Sequence, residues 1–353
     1  MANHEKDEYR ICPVNEVSAD QVIDFLKTYF TRRNDIYENR FSWWYGNFRN
    51  YIPCVAVDHA GTVVGFVGGS PISFRDHGKI LRAGALTDLY VDPSSRGHKL
   101  GQRLLQSMLD QADVSFGGNT TPVSRVIEER LGIMYIDNAE GYLVILGLRQ
   151  ARAFGRKGAA ISPMLKLLNP VYRIWMNVRS TPGLHVSPIA GQQGEICKLI
   201  DDDPEFGLYH DEAWVHWRFF ENPYSERHYI AMHRSAAVIF RTMMDQKLRR
   251  LHVLYCTPAA DGQDLDILFR QVLRWGIENQ LDLVYAMAAV DTLKMLYRKY
   301  ASKSFPINSG VMFADGRHMD KAMASHVLQL QLMDSDFDMA YFDQEQMVPC
   351  IPA

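Results

Sequence analysis

The sequence predicts an α/β protein of two similar domains, each a mixed, largely antiparallel sheet flanked by helices. Its 353 residues are enough for two domains, and its 47% apolar and 22% charged residues are typical of globular proteins. In the first 150 residues, antiparallel strands precede a strand–helix–strand–helix–strand series, which is an α/β or α+β order. The same order of elements recurs in the second half, so we predict a duplicated fold.

The first half divides into apolar segments with the periods of strands and helices. Two strands joined by the turn at 59–61 predict a hairpin, and a longer strand runs over Lys79–Val91. Pro122 suits an early position in a helix. The predicted order is a strand at 9–14, a helix at 19–30, an aromatic patch at 41–48, the hairpin, the long strand, a helix at 100–112, a strand at 114–119, a helix at 122–131, and a strand at 142–148 that closes the sheet.

The second half repeats these elements at low identity. An aromatic patch precedes a strand pair in both halves, at 43–66 and again at 214–240. A strand at 248–256, a helix at 265–278, a strand at 281–288, a helix at 291–301 and a strand-like segment at 310–314 follow. The expected division is a first domain at 1–150, a linker at 151–184 and a second domain at 185–353.

The predicted linker is basic. No Asp or Glu occurs from 141 to 194, and the apolar-rich stretch 162–179 within this segment has Pro170 in its middle. We interpret it as a linker with a helix that covers the body and has a basic outer face; contact with an acidic partner or a membrane surface is the alternative. The basic residues are Arg149, Arg152, Arg156, Lys157, Lys166, Arg173 and Arg179.

Composition argues against several classes of protein. A net charge of −3 does not suit general nucleic-acid binding. The five cysteines show neither CxxC nor metal-ligand spacing, so we expect reduced thiols, no metal and a cytoplasmic location. The polar N-terminus lacks the apolar core of a signal peptide, and no apolar run is long enough to span a bilayer.

The segment "VDPSSRGHKLGQRLL", at 91–105, reads as a strand end, a tight turn and a helix start. Its turn holds Arg96, Gly97, His98, Lys99 and Gly101 and no acidic residue. Free amides and the positive end of the helix dipole meet at such a turn, and glycines allow close backbone approach. The turn therefore predicts a phosphate site, with a plain solvated surface turn as the alternative.

The longer segment "LTDLYVDPSSRGHKLGQRLL" resembles the signature of the GNAT acyltransferase superfamily. That pattern is a strand ending in Val-x-Pro, then Arg/Gln-x-x-Gly-x-Gly/Ala at the start of a helix. Arg96 and Gly101 match it, while Lys99 replaces the intermediate glycine. The resemblance implies tandem GNAT-like domains with splayed central strands. Because every residue except proline keeps its amide, the diphosphate site can persist with Lys99.

The resemblance also implies where an acyl-CoA donor binds, with acetyl-CoA or another acyl-CoA as co-substrate. In the family, the pantetheine arm pairs with the strand before the turn, at the place where two strands separate. "FGGNTTPVSRVIEERLGI" resembles the other side of that cleft, and Asn119 matches an Asn that reaches the pantetheine. The cofactor-binding candidates are Leu89, Tyr90, Val91, Arg96, Gly97, His98, Lys99, Leu100, Gly101, Gln102 and Asn119.

Three residues are candidates for proton transfer in the reaction. Many members of the family place a Tyr four residues before the Gly of a Leu-Gly pair, where it protonates the departing thiolate. Glu128 stands there in this sequence, and a carboxyl group suits that role only if burial raises its pKa. Asp88 is a candidate acceptor of the amine proton, and Tyr90 is a further catalytic candidate. The alternatives are a solvated helix face for Glu128 and a structural carboxylate for Asp88.

Two aromatic patches are candidates for the acceptor pocket, although such patches more often belong to a core. The second patch with Asn222-Pro223-Tyr224 resembles a short segment of GNAT proteins from amino-sugar pathways, which makes an amino sugar one candidate acceptor. The acceptor-pocket candidates are Trp43, Trp44, Trp214 and Trp217.

The second half is expected to be a degenerate copy that shapes the acceptor side. At its equivalent of the phosphate turn, Asp261, Asp264 and Asp266 replace the basic residues. These carboxylates would cap their own helix and repel a diphosphate.

The sequence therefore predicts an acyl-CoA-dependent N-acyltransferase that acts on a primary amine of a small molecule. Direct attack of the amine in a ternary complex is the expected mechanism, since no residues for a covalent intermediate stand out. A non-catalytic acyl-CoA sensor and an acyltransferase that uses an acyl carrier protein as its donor are the alternatives.

Overall fold

The computed structural model of the chain describes residues 9–30, 37, 41–46, 51–118, 120–136, 138–147, 164, 167–175, 185–200, 205–244, 248–257, 261–316, 331 and 333.

The strands of the described residues are mostly buried and rich in β-branched and aromatic residues, as the apolar periods predict. In chain order they are β1 (Tyr9–Pro13), β2 (Cys54–Asp58), β3 (Val63–Asp76), β4 (Lys79–Val91), β5 (Val114–Gly118), β6 (Met134–Tyr135), β7 (Ala139–Ile145), β8 (Val186–Pro188), β9 (Phe206–Tyr209), β10 (His228–His233), β11 (Ala236–Met244), β12 (Arg249–Cys256), β13 (Leu283–Ala288), β14 (Lys303–Ile307) and β15 (Ser309–Phe313).

The helices of the described residues are α1 (Ala19–Tyr29), α2 (Leu100–Leu109), α3 (Pro122–Arg130), α4 (167–175), α5 (Gln193–Ile200), α6 (Glu212–Val215), α7 (Gly262–Glu278) and α8 (Asp291–Tyr300). Helices α1, α2, α3, α7 and α8 match the predicted helices to within a few residues at their ends, while α5 and α6 were not predicted. In the part of the chain that the structure describes, no helix has the length and apolar character needed to cross a lipid bilayer.

The strands form two mixed sheets, as predicted. The first has the order β1-β2-β3-β4-β5-β15-β6, with β9 paired to the far end of β3, and the second has the order β14-β7-β13-β12-β11-β10-β8. Within each sheet only one neighbouring pair is parallel, β4 with β5 and β12 with β13. The long β3–β4 hairpin closes through His77 and Gly78, both at positive φ, which is the turn geometry that matches the twist of the strands.

The two halves exchange a strand, which corrects one prediction. We expected 142–148 to close the first sheet and 310–314 to close the second. Instead β7 lies between β13 and β14 of the second sheet, and β15 lies between β5 and β6 of the first. The apolar pattern of a strand indicates that it is buried and not which sheet buries it. The sheets therefore do not follow a boundary at residue 150.

The two aromatic patches meet between the halves. The Trp43 indole donates to the Trp217 carbonyl at 2.9 Å, and the Trp217 indole donates to the Trp43 carbonyl at 3.1 Å. The two hydrogen bonds are thus reciprocal between the first and the second aromatic patch. Both tryptophans lie within an apolar cluster to which both halves contribute, so the repeats share a core.

Candidate donor cleft

A cleft opens in the first sheet where β4 and β5 separate. The two strands pair in parallel from Ala83 with Val114 to Leu86 with Gly117, and no further pair follows. Beyond that point lies a cavity of about 170 Å³, whose lining includes Phe30, Thr87, Asp88, Leu89, Gly118, Thr120 and Glu128. The structure thus places two of the predicted catalytic carboxylates, Asp88 and Glu128, in one cavity.

The edge of β4 beside the cleft turns backbone groups away from β3. Asp92 donates its N–H to the Val64 carbonyl of β3 at 2.8 Å. Because bonding direction alternates along an antiparallel pair, Val91 points its own N–H and carbonyl away from β3. This edge faces the separation from β5, where an extended ligand can add to the sheet.

Asp88 lies in a bulge of β4. Its φ of 49° is in the left-handed region, and the register between β3 and β4 shifts beside it. The Asp88 carboxylate accepts a hydrogen bond from the Tyr37 hydroxyl at 3.0 Å and another from the Tyr45 hydroxyl. These two phenols hold the carboxylate in place at the cavity wall, and the sequence did not indicate either of them.

The predicted phosphate turn ends at an uncapped helix. Gly97 has a φ of 97°, and Lys99, the residue before α2, has a φ of 56° and makes no side-chain cap. Lys99 thus adopts the left-handed conformation that favours glycine, the residue of the family pattern. Among the described residues, the amides of Leu100, Gly101 and Gln102 have no acceptor. Three donors therefore point out of the helix start.

The side chains of Arg96 and His98 in the turn contact residues of β4 and β1. The Arg96 guanidinium is 5.6 Å from the Tyr90 ring, and its Nε donates to the Val91 carbonyl at 3.4 Å. The His98 ring contacts the Tyr9 ring, with centroids 4.9 Å apart. Asn119, the other predicted donor contact, lies outside the described residues.

Glu128 is a buried carboxyl group, only 5% exposed. Its Oε2 accepts hydrogen bonds from the Tyr135 hydroxyl and, at 3.2 Å, from the Thr120 hydroxyl. Burial raises the pKa of the Glu128 carboxyl, although both hydrogen bonds act in the opposite direction. The solvated helix face considered for Glu128 is therefore wrong, and the group meets the condition set for a proton donor.

The second half of the chain builds the wall behind Glu128. Strand β15 pairs with Gly117 and Gly118 of β5 on one side and with Tyr135 of β6 on the other. An added Cβ at Gly117 would lie 3.3 Å from the Glu128 Oε2. The exchanged strand thus positions Tyr135, and the missing side chain at Gly117 leaves room for the carboxylate.

Thr87 adds a polar group that the sequence analysis missed. Thr87 lines the cavity, and its hydroxyl is buried without a hydrogen-bond partner among the described residues. A buried polar atom without a partner costs free energy. The Thr87 hydroxyl is therefore an unsatisfied polar group in the wall of the cavity.

The remaining predicted residues lie away from this cavity. The Tyr90 ring stacks on Tyr29, with centroids 4.6 Å apart, and is not part of the cavity lining. Trp43 and Trp44 are buried in the core between the halves. Trp214 and Trp217 line a second cavity of about 200 Å³ beside the far end of the β3–β4 hairpin.

The second sheet separates at the equivalent place, but its edge is occupied. Strands β12 and β13 pair only from Arg250 to His252. At the end of β12, the Gln331 carboxamide accepts from the Cys256 N–H at 2.7 Å and donates to the Cys256 carbonyl at 2.9 Å. The protein's own chain thus takes the place that a ligand would have in the first half.

The acidic residues of the second half act partly as predicted. Asp261 caps α7, since its carboxylate accepts from the Gln263 amide at 2.6 Å. Asp264 pairs with Arg234 at 3.1 Å, and Asp266 accepts from Lys299 at 2.7 Å. Among the described residues, the start of α7 therefore differs from that of α2, because a carboxylate of the protein already accepts from one of its amides.

A splayed mixed sheet with an uncapped helix after its fourth strand is the arrangement that the resemblance to the GNAT superfamily implies. Residues 19–119 match the model of the acetyltransferase (GNAT) family. This match covers α1, β2 to β5, α2 and the turn between β4 and α2. The chain thus contains a segment similar to the GNAT family in its first half.

Solved structures share the fold over both halves. A GCN5-related N-acetyltransferase from Kribbella flavida aligns with a TM-score of 0.56 at 15% identity, over 89% of this chain and 73% of its own. The N-myristoyltransferase of Saccharomyces cerevisiae with bound myristoyl-CoA aligns with a TM-score of 0.56 at 10% identity, over 92% and 90%.

A shorter alignment involves a fungal glucosamine N-acetyltransferase region. It has a TM-score of 0.53 at 17% identity, over 86% of this chain and 38% of that one. No protein of curated function matches the sequence. At these identities the structural matches establish the fold.

Proposed function

We propose that the protein transfers a short acyl group from acyl-CoA to a primary amine of a small molecule. The observation that carries this proposal is the cavity between β4 and β5, which combines an open strand edge with two carboxyl groups. The uncapped start of α2 follows directly after that strand.

The donor would lie along the first sheet. A carbonyl of an extended pantetheine arm would accept from the Val91 N–H, which points away from β3. The diphosphate would accept from the amides of Leu100, Gly101 and Gln102 at the positive end of the α2 dipole. Arg96 and Lys99 supply the matching charge.

In the reaction, the amine nitrogen bonds to the thioester carbon and the carbon–sulfur bond breaks. Asp88, held by two phenols, accepts the proton that the amine releases. Glu128 donates a proton to the departing thiolate. Because Oε2 accepts both hydrogen bonds from the protein, Oε1 is the oxygen that carries this proton. Positioning and proton transfer then supply the catalysis.

The size of the cavity supports a short acyl group. Its volume of about 170 Å³ is below the roughly 300–1,000 Å³ of sites that enclose whole drug-sized ligands. The cavity therefore accommodates a thioester with a short acyl group better than one with a long acyl group. We therefore expect acetyl-CoA to be preferred over long-chain acyl-CoA.

The second half is proposed to support this site without a donor of its own. Gln331 occupies its strand edge and Asp261 caps its helix. Its contribution to the reaction is strand β15, which holds the wall beside Glu128. The cavity beside Trp214 and Trp217 is a candidate entry for the acceptor, and amino sugars are the first acceptors to test because a glucosamine N-acetyltransferase region shares the fold.

Thiol release from acetyl-CoA with a panel of amino sugars and other primary amines tests the proposal. We expect acceptor-dependent release of CoA and weaker activity with long-chain acyl-CoA. Binding of acetyl-CoA without turnover for any amine would favour the sensor, and transfer only from acyl carrier protein would favour the other donor. Native mass spectrometry of the purified protein would identify a bound ligand directly.

Two substitutions of Lys99 should show whether CoA affinity depends on the backbone conformation of the turn or on the charge of the Lys99 ammonium group. Lys99→Gly is expected to keep CoA affinity within about threefold, because glycine adopts the same left-handed backbone. Lys99→Val is expected to weaken binding by about tenfold, since a β-branched residue is strained there by roughly 1–3 kcal/mol. Calorimetric titration with CoA measures both. Equal losses in the two variants would assign the effect to the ammonium group.

A further inference from the structure

Helix α4 is attached to the protein by its polar side. The Tyr172 hydroxyl donates to the Ile145 carbonyl at 2.8 Å. The Arg173 guanidinium donates to the carbonyls of Ile277 and Leu281 at 2.9 and 2.8 Å, at the negative end of α7. Asn169 is buried on the same side. These contacts fix which side of α4 faces solvent.

The side that faces solvent is apolar. Leu167 is 81% exposed, Val171 65%, Ile174 66% and Trp175 51%. These positions follow the spacing of one helical face. A helix at the surface of a globular protein normally buries its apolar side, and α4 does the reverse. We call these four residues the α4 apolar face. The basic outer face predicted for this helix is therefore wrong for its described residues.

Contiguous exposed apolar side chains on a protein surface mark a place of interaction. In the part of the chain that the structure describes, α4 is not a candidate membrane span. Its outward apolar side has the features of a helix that lies flat in a membrane interface, with Trp175 as an interfacial side chain.

The charge of the segment that contains α4 indicates the kind of surface that its apolar face binds. Besides Arg173, which donates to carbonyls of the protein, six of the chain's 38 Lys and Arg residues and none of its 41 acidic residues lie between 141 and 194, although the whole chain has a net charge of −3. Such a segment is attracted to anionic lipid headgroups. We propose that the α4 apolar face binds the surface of an anionic lipid bilayer, with the flanking basic residues contacting the headgroups.

Flotation of the full-length protein with lipid vesicles tests this proposal. We expect binding to vesicles that contain phosphatidylglycerol, weaker binding to pure phosphatidylcholine, and a decrease at high salt. The double variant Val171→Asp/Ile174→Asp should bind the anionic vesicles at least about tenfold less. Met295→Asp is the matched control, because Met295 on α8 is 66% exposed and should bind like wild type.

The double variant keeps Tyr172 and Arg173, so the helix should stay attached and the thermal unfolding midpoint should stay near that of wild type. The proposal is overturned if wild type does not float with anionic vesicles, or if the double variant floats equally well. It is also overturned if the double substitution abolishes self-association or binding of an acyl carrier protein while vesicle binding is unchanged. In that case the α4 apolar face is a protein interface.

Discussion

Glu128→Gln is expected to lower kcat by about 10²-fold and to leave KM for the acyl donor within about twofold. General acid–base groups contribute roughly 10²–10⁴-fold, and a carboxamide keeps the shape and the acceptor oxygen of Glu128 but cannot supply the proton. Burial raises the pKa of this carboxyl, so its protonated form persists to higher pH than that of an exposed glutamate. Steady-state kinetics with acetyl-CoA and a saturating acceptor measure the effect.

The effect of Glu128→Gln on kcat should depend on pH in one direction. A proton donor with a raised pKa is active below that pKa and loses its effect as the pH rises through it. The ratio of wild-type to Glu128→Gln kcat should therefore fall with increasing pH.

Glu129→Gln is the matched control, because Glu129 is exposed on the same helix and pairs with Arg125 at 2.9 Å. A Glu128→Gln enzyme as active as this control would remove Glu128 from the mechanism.

Gln102→Pro is expected to weaken CoA binding by about 10- to 100-fold. The substitution removes one backbone N–H from the start of α2, and a hydrogen bond to a charged group contributes about 1.5–3 kcal/mol. The amide of Gln102 has no acceptor among the described residues, so no bond within the protein is lost with it. Gly101 precedes the new proline and has no Cβ for the ring to contact. Isothermal titration with CoA gives the affinities.

Gln102→Ala keeps the amide and is the control for loss of the side chain. Its CoA affinity should match that of wild type, and both variants should show the helical circular dichroism of wild type. If Gln102→Pro binds CoA as well as Gln102→Ala does, the diphosphate does not rest on the start of α2, and the proposed donor geometry fails.

The exchange of β7 and β15 has a consequence for the whole molecule. Each sheet is complete only with a strand from the other half. Glu128 is supported by Tyr135, whose strand is paired with β15 from the far end of the chain. The second half therefore contributes to the first site structurally even though its own edge is occupied by Gln331.

Several parts of the site could be predicted because they depend on local sequence. The turn at 96–101 was identified from glycines and basic residues that stand next to one another, and the hairpins and helices from short apolar periods. Glu128 and Asp88 were candidates from their positions in a motif. The tyrosines that hold Asp88 could not be found in this way, because Tyr37 and Tyr45 lie 51 and 43 residues from it in the chain.

The sequence by itself determined the class of fold, the strand that ends at Val91 and the turn that follows it, because these are set by neighbouring residues. Only the tertiary structure decided which sheet receives β7 and β15, that Glu128 is buried, that Gln331 occupies the second edge and that α4 turns its apolar side outward. These features depend on contacts between distant segments. The apolar pattern of a strand or helix indicates which of its side chains are buried. It does not indicate which other segment of the chain packs against them.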